Sequence, residues 1–131
     1  MAEGLKVVIV DDSKLVLAQL ESVLSNVEGV ELVGKAPDGA SAVRTCAFTK
    51  PDLVLMDIVM PGMDGLSALR VIKATLPATR VAMISSVAGS GTNAEEAFRL
   101  GAIQVIAKPF DPDQIESLLE SEMQCRAGGK A

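Results

Sequence analysis

The chain reads as an open, doubly wound α/β domain: (βα) repeated five times around a five-stranded parallel sheet. Three features carry that expectation. Five short apolar runs recur at regular intervals along 131 residues. Those runs are continuous rather than alternating, as strands buried on both faces must be. Segments with helical period lie between them, and short right-handed crossovers then pack a helix after every strand.

The elements follow in order. Residues 5–10 form the first run; Val16, Leu20, Val23, Leu24 and Val27 then fall on one helical stripe, with Asp12 or Ser13 available as its cap. Residues 30–33 are the second run, and Asp38 caps a helix with the stripe Ala40, Val43 and Ala47. After the third run, 53–56, Leu66, Leu69 and Ile72 repeat every three residues until Pro77 closes the segment. The fourth run, 81–84, precedes a short helix over 93–100, with Asn93 and Glu96 as a capping box and Gly101 as its stop. The fifth run, 103–107, leads to Asp111-Pro112 with Gln114: a cap, a proline at the first helical position and a side chain able to reach back. Ile115, Leu118, Leu119 and Met123 mark that last helix. The domain is expected over 1–125, with 126–131, containing Gly128-Gly129, as a flexible tail or the start of a linker.

Composition narrows the function. A chain of 131 residues supports one core, and 49% hydrophobic with 22% charged residues is globular composition. The net charge of −5 argues against direct nucleic-acid binding, and only three Phe with no Tyr or Trp leave no base-stacking platform. Histidine is absent, so a Ser-His-Asp triad and a His-ligated metal are excluded, and any phosphohistidine must come from a partner. Cys46 and Cys125 form no CxxC, which points to a reducing cytoplasm without a structural disulfide. No apolar run is long enough for a signal peptide or a membrane span.

In open parallel sheets the ligand site lies beyond the carboxyl ends of the strands. Asp11 and Asp12 follow the first strand, Asp57 the third, Ser85-Ser86 the fourth and Lys108-Pro109 the fifth. Only the second run ends without a candidate. Three carboxylates at one edge repel unless a cation intervenes, and all-oxygen donors favour a hard ion such as Mg²⁺. With Lys108 beside them, a phosphoryl group is welcome, and Asp57 becomes a carboxylate nucleophile. The bland alternative is that each Asp merely caps a helix; the joint pattern in strand order favours the site.

These residues resemble the receiver domain of two-component response regulators. The likeness runs from about residue 5 to 123, and rests on Asp11-Asp12 after an apolar strand, Asp57 in LVLMDIVMPGMDG, ISS at 84–86 and the LGA…KPF ending at 100–110. It implies a flavodoxin-like strand order, 2-1-3-4-5. It implies that Asp57 takes a phosphoryl group from the phosphohistidine of a histidine kinase or histidine-phosphotransfer domain. It assigns Asp11, Asp12, Asp57 and the Val59 carbonyl to Mg²⁺, Ser85 and Lys108 to the phosphoryl group, and a cis peptide to Lys108-Pro109. It implies a switch rather than a turnover enzyme: cytoplasmic, monomeric or a weak phosphorylation-dependent dimer, and meeting its target through the fourth helix, fifth strand and fifth helix. A chemotaxis setting fits a chain without an output domain.

The chain departs from that pattern in places. Many receivers carry an aromatic residue three positions before the lysine; here it is Val105, so the loop at 87–92 and the fourth helix must carry the readout. Val59 and Val87 flank the site with apolar side chains that cannot orient an attacking water, so slow loss of the phosphoryl group is expected. Met56, Met60, Met63 and Met83 read as core and loop filler, and Cys46 as a buried small hydrophobe. Ser85-Ser86-Val87 resembles receivers attached to chemotaxis methylesterases, which makes the amino-terminal domain of a longer regulator the second reading. A flavodoxin-like nucleotide or flavin domain lacks its glycine-rich loop after the first strand, and a Mg²⁺-dependent phosphatase lacks a cap.

Overall fold

The structure, a computed structural model, describes residues 4–86 and 91–129. Its elements run β1 (Leu5–Val10), α1 (Lys14–Ser25), β2 (Val30–Ala36), α2 (Gly39–Thr49), β3 (Leu53–Asp57), α3 (Gly65–Thr75), β4 (Arg80–Ser85), α4 (Gly91–Arg99), β5 (Gln104–Ala107) and α5 (Pro112–Gly129). All strand pairs are parallel and the order is β2-β1-β3-β4-β5. The expected fold and strand order are both found.

The sheet divides the apolar residues into two cores because successive side chains alternate faces. Val8, Val10, Val54, Met56, Val81 and Met83 pack with α2, α3 and Ala97 of α4. Val7, Ile9, Leu53, Leu55, Ala82 and Ile84 face α1 and α5, where Leu20, Leu24, Ile115 and Leu119 are buried. Truncating one of these large aliphatic side chains to alanine costs about 2–5 kcal/mol. Met56, Met60 and Met83 are core filler as expected, whereas Met63 is 37% exposed on the surface.

Local signals set the helix ends. Ser13, not Asp12, caps α1: its hydroxyl accepts from the Val16 amide at 3.3 Å. Asp38 caps α2 through the Ser41 amide at 2.8 Å. Gly101, at φ +109°, ends α4 in a Schellman turn, its amide donating to the Phe98 carbonyl and the Ala102 amide to that of Ala97. The Asp111 amide donates to Gln114 Oε1 at 3.1 Å, the reach-back expected at the start of α5.

Several boundaries differ from the expectation. β2 continues to Ala36, past a bulge at Val33 where the register with β1 shifts by one residue between the pairs Val7–Leu32 and Val8–Gly34. The buried stripe of α2 is Gly39, Ala42 and Cys46, one residue earlier than Ala40, Val43 and Ala47. In this orientation Gly39 seats closely against Met63. α4 begins at Gly91, so Asn93 stands inside its first turn rather than at its cap. α5 runs to Gly129, so the backbone is helical through four of the residues expected as tail.

Candidate functional site

The strands deliver their polar ends to one edge. Asp11 follows β1 with its amide donating to the Ala36 carbonyl at 3.1 Å. Asp57 is the last residue of β3, and Ser85 is the last of β4. Lys108 follows β5, its amide donating to the Ser85 carbonyl at 2.9 Å, and its bond to Pro109 is cis. Parallel strands in register put all of these termini on the same side.

The side chains converge there. Lys108 Nζ lies 2.7 Å from Asp11 Oδ2 and 3.1 Å from Asp57 Oδ2. Asp11 Oδ1 accepts the Ser13 amide at 2.9 Å, and Asp57 Oδ1 accepts the Val59 amide at 3.3 Å. Asp11 and Asp57 are buried, Ser85 is fully buried, and Asp12 is exposed at the rim. The sequence expectation named every one of these residues. It did not identify the Ser13 amide as the brace of Asp11, because a backbone donor leaves no mark on residue type.

Burial pushes the Asp57 carboxyl above its usual range; the Lys108 hydrogen bond opposes that rise and the neighbouring Asp11 charge adds to it. Burial alone would lower the Lys108 ammonium, but hydrogen bonds to Asp11 and Asp57 outweigh it and hold that group above an ordinary lysine.

The donor set fits a hard divalent cation. Asp11, Asp12 and Asp57 each offer a carboxylate oxygen, all within 4.8 Å of one another. Three carboxylates against the single Lys108 ammonium leave two negative charges, and every donor is oxygen. A cleft of about 750 Å³ opens beside Lys108, lined by Val16, Gln19, Ser86, Phe110 and Pro112. Val59, two residues after Asp57, is 55% exposed. Val87 lies outside the described residues. Val105 is half-buried against the α2–α3–α4 core, so no aromatic side chain occupies that position.

Neither cysteine is in a disulfide: Cys46 is buried and Cys125 exposed. No helix among the described residues is long and apolar enough to cross a membrane.

The chain is similar to several known proteins. The protein-glutamate methylesterase/protein-glutamine glutaminase 5 of Myxococcus xanthus is 40% identical over 105 residues, 80% of this chain and 30% of that protein. The chemotaxis protein CheY of Listeria monocytogenes is 37% identical over 116 residues, 88% of this chain and 96% of that one. The response regulator domain of Thermotoga maritima CheB superposes with a TM-score of 0.82 at 34% identity, covering 93% of this chain and 96% of that domain. The chain spans about a third of the length of the methylesterases it matches. The family described as the response regulator receiver domain matches residues 7–120, and the protein belongs to that family.

Proposed function

We propose that the protein is a phosphorylation-dependent signalling switch in which Asp57 accepts a phosphoryl group from the phosphohistidine of a histidine kinase or histidine-phosphotransfer domain. The observation that carries this reading is the buried Asp57 carboxylate bridged through Lys108 to Asp11, at the carboxyl edge of a receiver-family sheet. Asp57 Oδ attacks phosphorus as the phosphorus–nitrogen bond breaks, and the electron pair stays on the departing imidazole. Lys108 pairs with a phosphoryl oxygen, and the Ser85 hydroxyl donates to another once the group is attached. The strand ends hold the nucleophile in line, which phosphoryl transfer needs more than proton shuttling.

Asp11, Asp12, Asp57 and the Val59 carbonyl are the residues that would hold Mg²⁺. The ion, when bound, neutralises charge on the transferring oxygens. The switch catalyses only its own phosphorylation and dephosphorylation. It acts in the cytoplasm, in a chemotaxis-type pathway, as a monomer or weak phosphorylation-dependent dimer. The α4–β5–α5 face meets the downstream partner, with neither nucleic acid nor membrane bound directly.

Intact-protein mass after incubation with acetyl phosphate, with and without Mg²⁺, tests this. One added phosphoryl group that requires Mg²⁺ and disappears in Asp57→Asn is expected. A folded protein with no adduct at saturating donor overturns it.

A second reading makes the chain the amino-terminal receiver of a larger regulator with a methylesterase or other output domain. It is favoured by the share of the methylesterase relatives that the chain covers. The reading frame beyond Ala131 decides it: an output domain there supports this reading, and an immediate stop leaves the stand-alone switch.

A further inference from the structure

The loop after Asp57 is seated on two glycines whose backbone does not need glycine. Gly39 and Gly65 are the first residues of α2 and α3, and neither has positive φ; among the described glycines, that belongs to Gly29, Gly62 and Gly101. In a helical first turn, alanine is ordinarily neutral or stabilising, because it restricts the unfolded chain more than glycine does. The reason for glycine at these two positions is therefore space.

At Gly65 the space is taken by the nucleophile's own backbone. A methyl there would collide with the Asp57 carbonyl oxygen and stand 2.8 Å from Ile58 Cα. These are backbone atoms, so nothing can swing aside, and the Gly65 amide is already bonded to the Ile58 carbonyl at 2.7 Å. At Gly39 a methyl would collide with the Met63 carbonyl and meet Met63 Cγ at 3.0 Å. The first turns of α2 and α3 thus hold residues 58–64 from two sides. Asp57, at the root of that loop, has carboxylate oxygens fixed to the Val59 amide and Lys108.

Resting on the reading of Asp57 as the phosphoryl acceptor, we propose that Gly65 is a positioning residue for that carboxylate, with Gly39 supporting the far end of the same loop. Lifting the α3 turn by a methyl displaces the Asp57 peptide, and with it the line of attack. Tenths of an ångström matter there, because reacting atoms must meet within a narrow distance and angle.

The test uses Gly65→Ala and Gly39→Ala in the full chain with acetyl phosphate. In that reaction an Asp57 oxygen–phosphorus bond forms, the phosphoric–carboxylic anhydride bond breaks and acetate leaves. Gly65→Ala should phosphorylate about tenfold more slowly at saturating donor and Mg²⁺, with the half-saturating donor concentration little changed. In Mg²⁺-free protein its amide NMR shifts should move over residues 57–65 while the α1 and α5 core stays in place. Gly39→Ala should act in the same direction and more weakly.

A Gly65→Ala protein that reacts at the wild-type rate with undisturbed shifts overturns the inference. If Gly65→Ala does not fold, Gly39→Ala decides: a wild-type rate overturns the inference and a slowed one supports it. Failure of the wild type itself to take the phosphoryl group sinks the assignment of Asp57, and this inference with it. An adduct that forms as fast in both variants as in wild type sinks the inference alone.

Discussion

Lys108 Nζ donates to Asp57 Oδ2 across 3.1 Å, although 51 residues separate the two along the chain. The same ammonium reaches Asp11 at 2.7 Å, so one cation at the end of β5 compensates carboxylates from β1 and β3.

Lys108→Met keeps an unbranched side chain one atom shorter and removes the charge. Two buried carboxylates then lose their shared cation, which should cost about 2 kcal/mol in the absence of Mg²⁺. Phosphorylation by acetyl phosphate should fall about 100-fold, the usual effect of losing one preorganised donor to a transition-state oxyanion. Urea denaturation in chelator and the rate of adduct formation by mass spectrometry check the two effects. Unchanged adduct formation would remove Lys108 from the site.

Asp57→Asn deletes a carboxylate whose burial already favours its neutral form. In chelator the variant should be more stable than wild type by about 1 kcal/mol, because one member of a repelling cluster is gone. Mg²⁺ should stabilise the wild type by about 2.7 kcal/mol at a hundredfold excess over its dissociation constant, and the variant by clearly less. Thermal melts across a Mg²⁺ series measure both. Equal Mg²⁺ responses would place the ion elsewhere.

Val59, whose amide donates to Asp57 Oδ1 at 3.3 Å, carries an apolar side chain, 55% exposed, that cannot orient water. Val59→Asn, alone or with Val87→Glu, should speed the decay of phospho-Asp57 about tenfold, the worth of one hydrogen bond of about 1.4 kcal/mol to the attacking water. The decay is followed by intact mass after removal of donor. Identical half-lives would refute a role for the valines in the persistence of the signal.

Burial pushes the Cys46 thiol up to about 11, from an ordinary value of 9.0. Above pH 9 the unfolded chain ionises this thiol while the folded chain does not, until about pH 11. The stability is therefore fully present below pH 9 and is lost as pH rises through the folded value, by up to about 2–3 kcal/mol. Cys46→Ala should lack that loss between pH 9 and 11 while costing about 1 kcal/mol at pH 7. In the native protein only the exposed Cys125 should react promptly with dithionitrobenzoate, and Cys46 only on unfolding.

Much of the site was legible because phosphoryl chemistry needs particular residue types at strand ends. Asp11, Asp12, Asp57, Ser85 and Lys108 each follow or close a recognisable apolar run. The supports around them were not. The Ser13 amide on Asp11 is backbone, and the seats of Gly39 and Gly65 are spaces, neither of which residue chemistry announces. Gly65, in the DG that closes the motif around Asp57, sits at the head of a helix against the Asp57 carbonyl.

By itself the sequence determined the five βα units, since continuous apolar runs alternating with helical stripes have one economical packing. It also determined which residue types would gather at the carboxyl edge, since parallel strands all end on the same side. Only the tertiary structure decided the distances: that one Lys108 ammonium spans Asp11 and Asp57, that α2 is turned one residue from its apparent stripe, and that Val33 is bulged out of β2. Those outcomes depend on how helices pack against a twisted sheet and on backbone atoms common to every residue. Such contacts become definite only when the chain closes on itself.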